Sequence, residues 1–415
     1  MNATTVIAAA LVCAVATGSA RAGQVTSPLL IDRGLTVGAG ATISTTIGAA
    51  VARAEHAVVP DRLFNERGPL RRSGNVTYRL VKFAFFDLPQ EQLVLVANHE
   101  LFGHGARLRE RFDGPIGYRI GLPPPYGRGG GSTSFVFDRE PAPYERLAIH
   151  AGGMEASSVA AGLIAQRAFT DGMRPRDALR YLMFELDTLA YIWSTDDEGE
   201  EPGHDVADFL DSYNRAIPPG AHELTPRMLR REAVASLANP MLVFAVHGIA
   251  RYLWNGDTGI SVPALSIAGV RYLPMVRYRL APYGTEWSLV NELGGRIRPT
   301  QIELRVGRST DASPWAAAVR RRDLTTWRGW RMGASVEVWQ QPRLADIPDG
   351  VLAGETQTGI HVNGRAERSL IPVWFSGREA TVIIDIGVKA AGFVPGEPLG
   401  RGVVARAGIG LPLDQ

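Results

Sequence analysis

The sequence predicts an α+β chain: a helical part over residues 23–258 followed by an antiparallel β part over 259–415, the latter a small barrel of about eight strands. Three observations carry this reading. An apolar run from Val6 to Ala16 ends in small residues, the mark of a leader rather than of the fold. Leu179, Leu182, Met183, Leu186, Leu189 and Ala190 recur at helical spacing. After Gly259 the apolar period drops to two.

Residues 1–22 read as a secretory signal cleaved after Ala22, which places the mature chain in the periplasm or outer membrane of a Gram-negative-type cell. The single cysteine, Cys13, lies inside that segment, so disulfides, thiolate catalysis and cysteine ligands are excluded from the mature protein. Net charge is +2, which implies no polyanionic partner and no nucleic acid. Residues 24–87 begin Gly/Ala/Thr-rich around Gly34 to Val51, a small-residue helix with no assigned role.

Asp87-Leu88-Pro89 reads as a helix start, and the helix is expected to run through Glu110. Two short strands joined by a Pro/Gly loop follow between Gly114 and Glu140, an edge on which an extended peptide can add as a strand. From Tyr144 helical composition returns, with His150 and Glu155 set among Ala, Gly and Met. A carboxylate in such surroundings needs a partner. The acidic run from Asp196 to Glu201 lacks the alternating spacing of a calcium loop and reads as solvated. Leu237 to Trp254 is a strongly apolar helix carrying His247, a catalytic candidate that could stabilise an oxyanion or a substrate carboxylate, with a hydrogen-bonded core histidine as the alternative. In the β part, Ile302, Leu304 and Val306 alternate with Gln301, Glu303 and Arg305, and Val382, Ile384, Ile386 and Val388 continue the pattern. That is the texture of an outer-membrane barrel, and a soluble barrel or sandwich gives nearly the same one.

The chemistry concentrates at Asn98-His99-Glu100-Leu101-Phe102-Gly103-His104-Gly105. Neutral imidazoles bind zinc, and a neighbouring carboxylate left off the metal can take a proton from water. Here three residues, not two, separate Glu100 from the second histidine. At about 100° per residue, positions five apart diverge by roughly 140° on an ideal helix. A π-type bulge that absorbs one residue realigns them, and the glycines flanking His104 ease it. His99, His104 and Glu155 then make a ligand set with a fourth position open for water, with His150 as a competing ligand.

The stretch from His99 to Gly105 is similar to the His-Glu-Leu-Leu-Gly-His-Gly signature of the dipeptidyl peptidase III family, which also spaces its glutamate and second histidine by three. The resemblance is motif-level, spans residues 99–155, and implies a glutamate-zincin core in which His99, His104 and Glu155 hold Zn2+ and Glu100 activates water. The expectation is an exported zinc metallopeptidase acting on a peptide or protein, associated with the outer membrane through its β part. The alternative is a non-catalytic outer-membrane barrel or envelope binding protein with a helical soluble portion.

Overall fold

The computed structural model describes residues 27–65, 67–196, 203–310, 312–344, 355–373 and 378–413. The expected leader and most of the acidic run lie outside them.

Two kinds of structure are present, as the periodicities require: a helical N-terminal part and one ten-stranded antiparallel sheet. The helices are α1 (Val37–Val58), α2 (Pro69–Lys82), α3 (Leu88–Ala97), α4 (Gly105–Arg111), α5 (Pro143–Asp171), α6 (Pro175–Ser194), α7 (Asp205–Ala216), α8 (Pro226–Ala233) and α9 (Pro240–Asn255). The sheet strands are β1 (Ser27–Ile31), β4 (Leu265–Ile267), β5 (Val270–Ala281), β6 (Gly284–Gly295), β7 (Thr300–Arg308), β8 (Trp315–Trp327), β9 (Trp330–Pro342), β10 (Thr356–Val373), β11 (Arg378–Lys389) and β12 (Gly402–Leu411). Their order is β1-β12-β11-β10-β9-β8-β7-β6-β5-β4, a meander whose two end strands do not pair with each other. A separate hairpin joins β2 (Gly117–Ile120) to β3 (Gly131–Ser134).

Three details depart from the sequence reading. The sheet draws β1 from the N-terminal part, where no strand was expected. No helix starts at Asp87: α2 runs on through a π turn at Phe83–Asp87 into α3. Pro89 brings no N–H to the ladder, and the wider turn before it lets the chain continue as one long helix. Asp87 instead receives Lys82 and Arg176. Finally, β4 to β12 number nine where about eight strands were expected.

Most of the apolar core is helical. Leu147, Met154, Phe209 and Tyr213 anchor one cluster; Ile164, Phe184 and Met241 anchor another, which also receives Leu273, Met275 and Val290 from β5 and β6. Helix α5 is the one single described helix long and apolar enough to span a membrane, and 72% of that stretch is buried inside the fold, so it serves as the core helix.

The sheet is built the other way round. Leu304, Val336, Val362 and Ile386 are exposed, while Glu303, Arg305, Glu337, His361 and Asp385 are buried on the opposite face. Arg305 pairs with Glu286 and Glu337, and Arg320 with Glu303 and Glu337, so the charges are neutralised across strands. This charged face and helices α1 and α5 enclose a cavity of about 250 Å³.

Candidate metal centre

The helix that carries the motif changes pitch within it. Asn98–His104 is a π-helical turn between α3 and α4, and the Gly105 N–H bonds to the Glu100 carbonyl, five residues back. This is the bulge that the spacing demanded. On such a turn residues five apart share a face, and the His99 and His104 rings sit 4.9 Å apart between centroids. Both are buried.

Packing around the turn depends on missing side chains. A Cβ on Gly153 of α5 would lie 2.1 Å from Nε2 of His99, and one on Gly103 would lie 2.4 Å from Cα of Gly153. The small-residue stretch of α5 therefore exists to let the two helices approach until their backbones touch.

The third member of the group is Asp205, the first residue of α7. Its Oδ2 is 2.8 Å from His99 Nε2 and 3.2 Å from His104 Nε2. One donor atom from each of the three falls within 4.8 Å of the others, a group able to hold a metal ion. The far ring nitrogens are fixed as metal-bound imidazoles require. His99 Nδ1 donates to Asp187 of α6 at 3.0 Å, and His104 Nδ1 donates to the Ile149 carbonyl at 2.7 Å. Tyr191 stacks on His99 at 5.0 Å.

Charge follows from these contacts. Burial works against the imidazolium of His99, yet Asp187 and Asp205 overcome it and hold the ring well above its ordinary range. The same contest, won by Asp205, raises His104. Burial would raise the Asp205 carboxyl, but His104 and His99 more than offset this and hold it well below the usual carboxylate range. The carboxylate thus favours the protonated form of both rings, and an ion entering the group has to displace any proton on Nε2.

Glu100 is not one of the three. Its buried carboxylate accepts from Thr133 Oγ1 of β3 at 2.6 Å, and a Cβ on Gly131 would press within 2.7 Å of its Oε1. The hairpin thus lies over the general-base candidate, bringing a strand to the site.

Two expected site residues are elsewhere. Glu155 does not reach the group: Arg107 grips its two oxygens at 2.6 and 2.7 Å, and the Gly396 N–H donates to it at 2.9 Å. Its burial among small residues did demand a partner, and that partner is a guanidinium. His247 is exposed on α9 and has no place in the site. His150 stays out of the ligand group as well; burial, then the neighbouring His104, push its ring down to about 4.

Sequence reasoning missed Asp205 and Asp187. A carboxylate at a helix start is ordinary and gave no signal. Asp187 was more legible, because it interrupts the apolar stripe between Leu186 and Leu189. No family model, curated protein or solved structure matches the chain.

Proposed function

We propose that the chain is a metal-dependent hydrolase, a zinc metallopeptidase in which His99, His104 and Asp205 hold the ion. The observation that carries this is the convergence of two Nε2 atoms and one carboxylate oxygen, each ring oriented from behind, with Glu100 on the same turn. Two nitrogens and one oxygen suit zinc, and three protein ligands leave a coordination position for chemistry. A bound zinc ion supplies Lewis-acid polarisation of a carbonyl and acidifies water.

Glu100 is the general base. Its carboxylate takes the proton from the attacking water and returns it to the departing amine, while Thr133 Oγ1 fixes its orientation. The β2–β3 hairpin favours a peptide as substrate, since a strand edge beside Glu100 holds an extended backbone by its own hydrogen bonds. The likeness to the dipeptidyl peptidase III motif supports the roles of His99, Glu100 and His104, with Asp205 in place of Glu155 as third ligand.

Glu100→Gln tests the assignment. The variant should retain zinc at the wild-type ratio by elemental analysis and lose peptide hydrolysis by about 10²–10⁴-fold, the contribution of a positioned base. Undiminished hydrolysis removes Glu100 from the mechanism, and wild-type protein that retains no zinc removes the centre.

A further inference from the structure

We propose that the outward face of the ten-stranded sheet is in contact with lipid hydrocarbon, and that helix α1 covers the open edge of β1. This inference is independent of the hydrolase reading.

Register puts Leu289, Leu304, Ala317, Val338 and Ile360 side by side across five strands. A second row runs Val336, Val362 and Val388. No charged side chain interrupts either row. The next residue along each strand, such as Glu303, Glu337, His361 or Asp385, is buried on the opposite face. A sheet in water places its apolar face against a core and its charges outside. Here both are reversed, and apolar outside with polar inside is the arrangement of membrane barrels.

Dimensions agree. Trp315 and Trp327 mark the two ends of β8, twelve steps apart. At about 3.3 Å per residue that is roughly 40 Å of strand, or roughly 28 Å of depth at a tilt of about 45°. Aromatic residues at both ends are how barrel strands meet the two interfaces; between them Ala317 and Val319 stand in the outward rows, while Arg320, Arg321 and Arg322 line the inner cavity. Trp327 is exposed.

An open edge is the obstacle, since bare backbone N–H and C=O groups are not tolerated in hydrocarbon. On β1 side chains of α1 meet that edge. Thr42 Oγ1 accepts from the Leu30 N–H at 3.0 Å while its own proton lies between the Ala39 carbonyl at 2.8 Å and the Leu30 carbonyl at 3.2 Å, and Thr46 Oγ1 donates to the Pro28 carbonyl at 2.7 Å. Threonines on a helix thus replace the partner strand. They give the Gly/Ala/Thr-rich segment its role.

The occupant of the face is therefore a bilayer rather than a second copy of the chain. Single cysteines at Val362 and Ile386 on the outside and at His361 and Asn363 on the inside test this, in the full chain reconstituted into phosphatidylcholine vesicles. Cys13 is the only native cysteine and is replaced by Ser. An environment-sensitive fluorophore at the outward pair should shift to the blue and lose at least half its emission to lipids brominated on the acyl chain. The inward pair should not. Outward labels quenched by aqueous iodide and untouched by brominated lipid overturn the proposal. So does a detergent-free dimer in which the outward labels are protected. Because Val362→Cys and Ile386→Cys are small changes on a surface, a second readout guards against misfolding: wild-type protein should sediment with the vesicles after a high-salt wash, and its recovery in the supernatant also overturns the idea.

Discussion

The helical part and the sheet solve burial in opposite ways. In the helices, apolar side chains fill most of the interior, and buried charges pair between helices, in the group of His99, His104, Asp205 and Asp187, the Arg107–Glu155 pair and the network of Lys82, Asp87, Glu91, Arg176 and Arg180. In the sheet, charges line the interior in a cross-strand network and apolar side chains lie outside. One chain therefore carries two definitions of inside. The difference teaches that the period of a pattern and the side it faces are separate facts, and that the second is set by the solvent.

The largest effect that separates the parts concerns a broken ion pair. Arg107 and Glu155 are both 3% exposed at the side chain; Arg107 borders a small cavity beside Ala106 and Glu110, but Glu155 lines neither that cavity nor the one against the sheet, so Arg107→Ala strands a carboxylate away from water. Chemical denaturation should show a loss of about 3–5 kcal/mol. Arg365 also meets two carboxylates, Glu367 and Asp385, but it lines the cavity against the sheet. Water can reach the partners it leaves, and Arg365→Ala should cost about 1–3 kcal/mol. Equal losses would mean that the charged interior of the sheet is as dry as the helical core.

A smaller effect probes the outside. Ile386→Arg puts a charge on an exposed apolar position of β11. Facing water, such a change stays within about 0.5 kcal/mol; facing the middle of a bilayer it costs about 2–4 kcal/mol. Val243→Arg on α9, where Val243 is 64% exposed, is the control and should stay within about 0.5 kcal/mol. Unfolding from lipid vesicles that leaves both variants level with wild type would erase the contrast between the two parts.

What the sequence made legible follows the same division. Period alone announced helices before Gly259 and strands after it, because side-chain direction is a local property of the backbone. The awkward spacing of His99 and His104 announced the π turn, since no regular helix brings the two rings together. The third ligand was hidden because Asp205 belongs to another helix, and distances across helices leave no local trace. Glu155 was wrongly placed for a related reason: burial predicted that it had a partner and was silent on which one. The sheet's orientation was equally closed to the sequence, as both solvents accept the same alternation. β1 was missed because its partner β12 lies at the far end of the chain.

The smallest effect acts inside the metal group. Asp187→Asn keeps the shape and a hydrogen-bond acceptor at 3.0 Å from His99 Nδ1 but removes the charge that orients and enriches the ring from behind. Metal affinity, read by competition with a chromophoric chelator, should fall about 10–100-fold. Asp187 touches no other ligand of the group, so the fold should hold while affinity drops. That separation is what a positioning residue produces. An unchanged affinity with lowered stability would make Asp187 a helix-packing residue, and the ligand group would then rest on His99, His104 and Asp205 alone. The reverse result would show that in the helical part Asp187 is kept for what its charge does to a neighbouring ring.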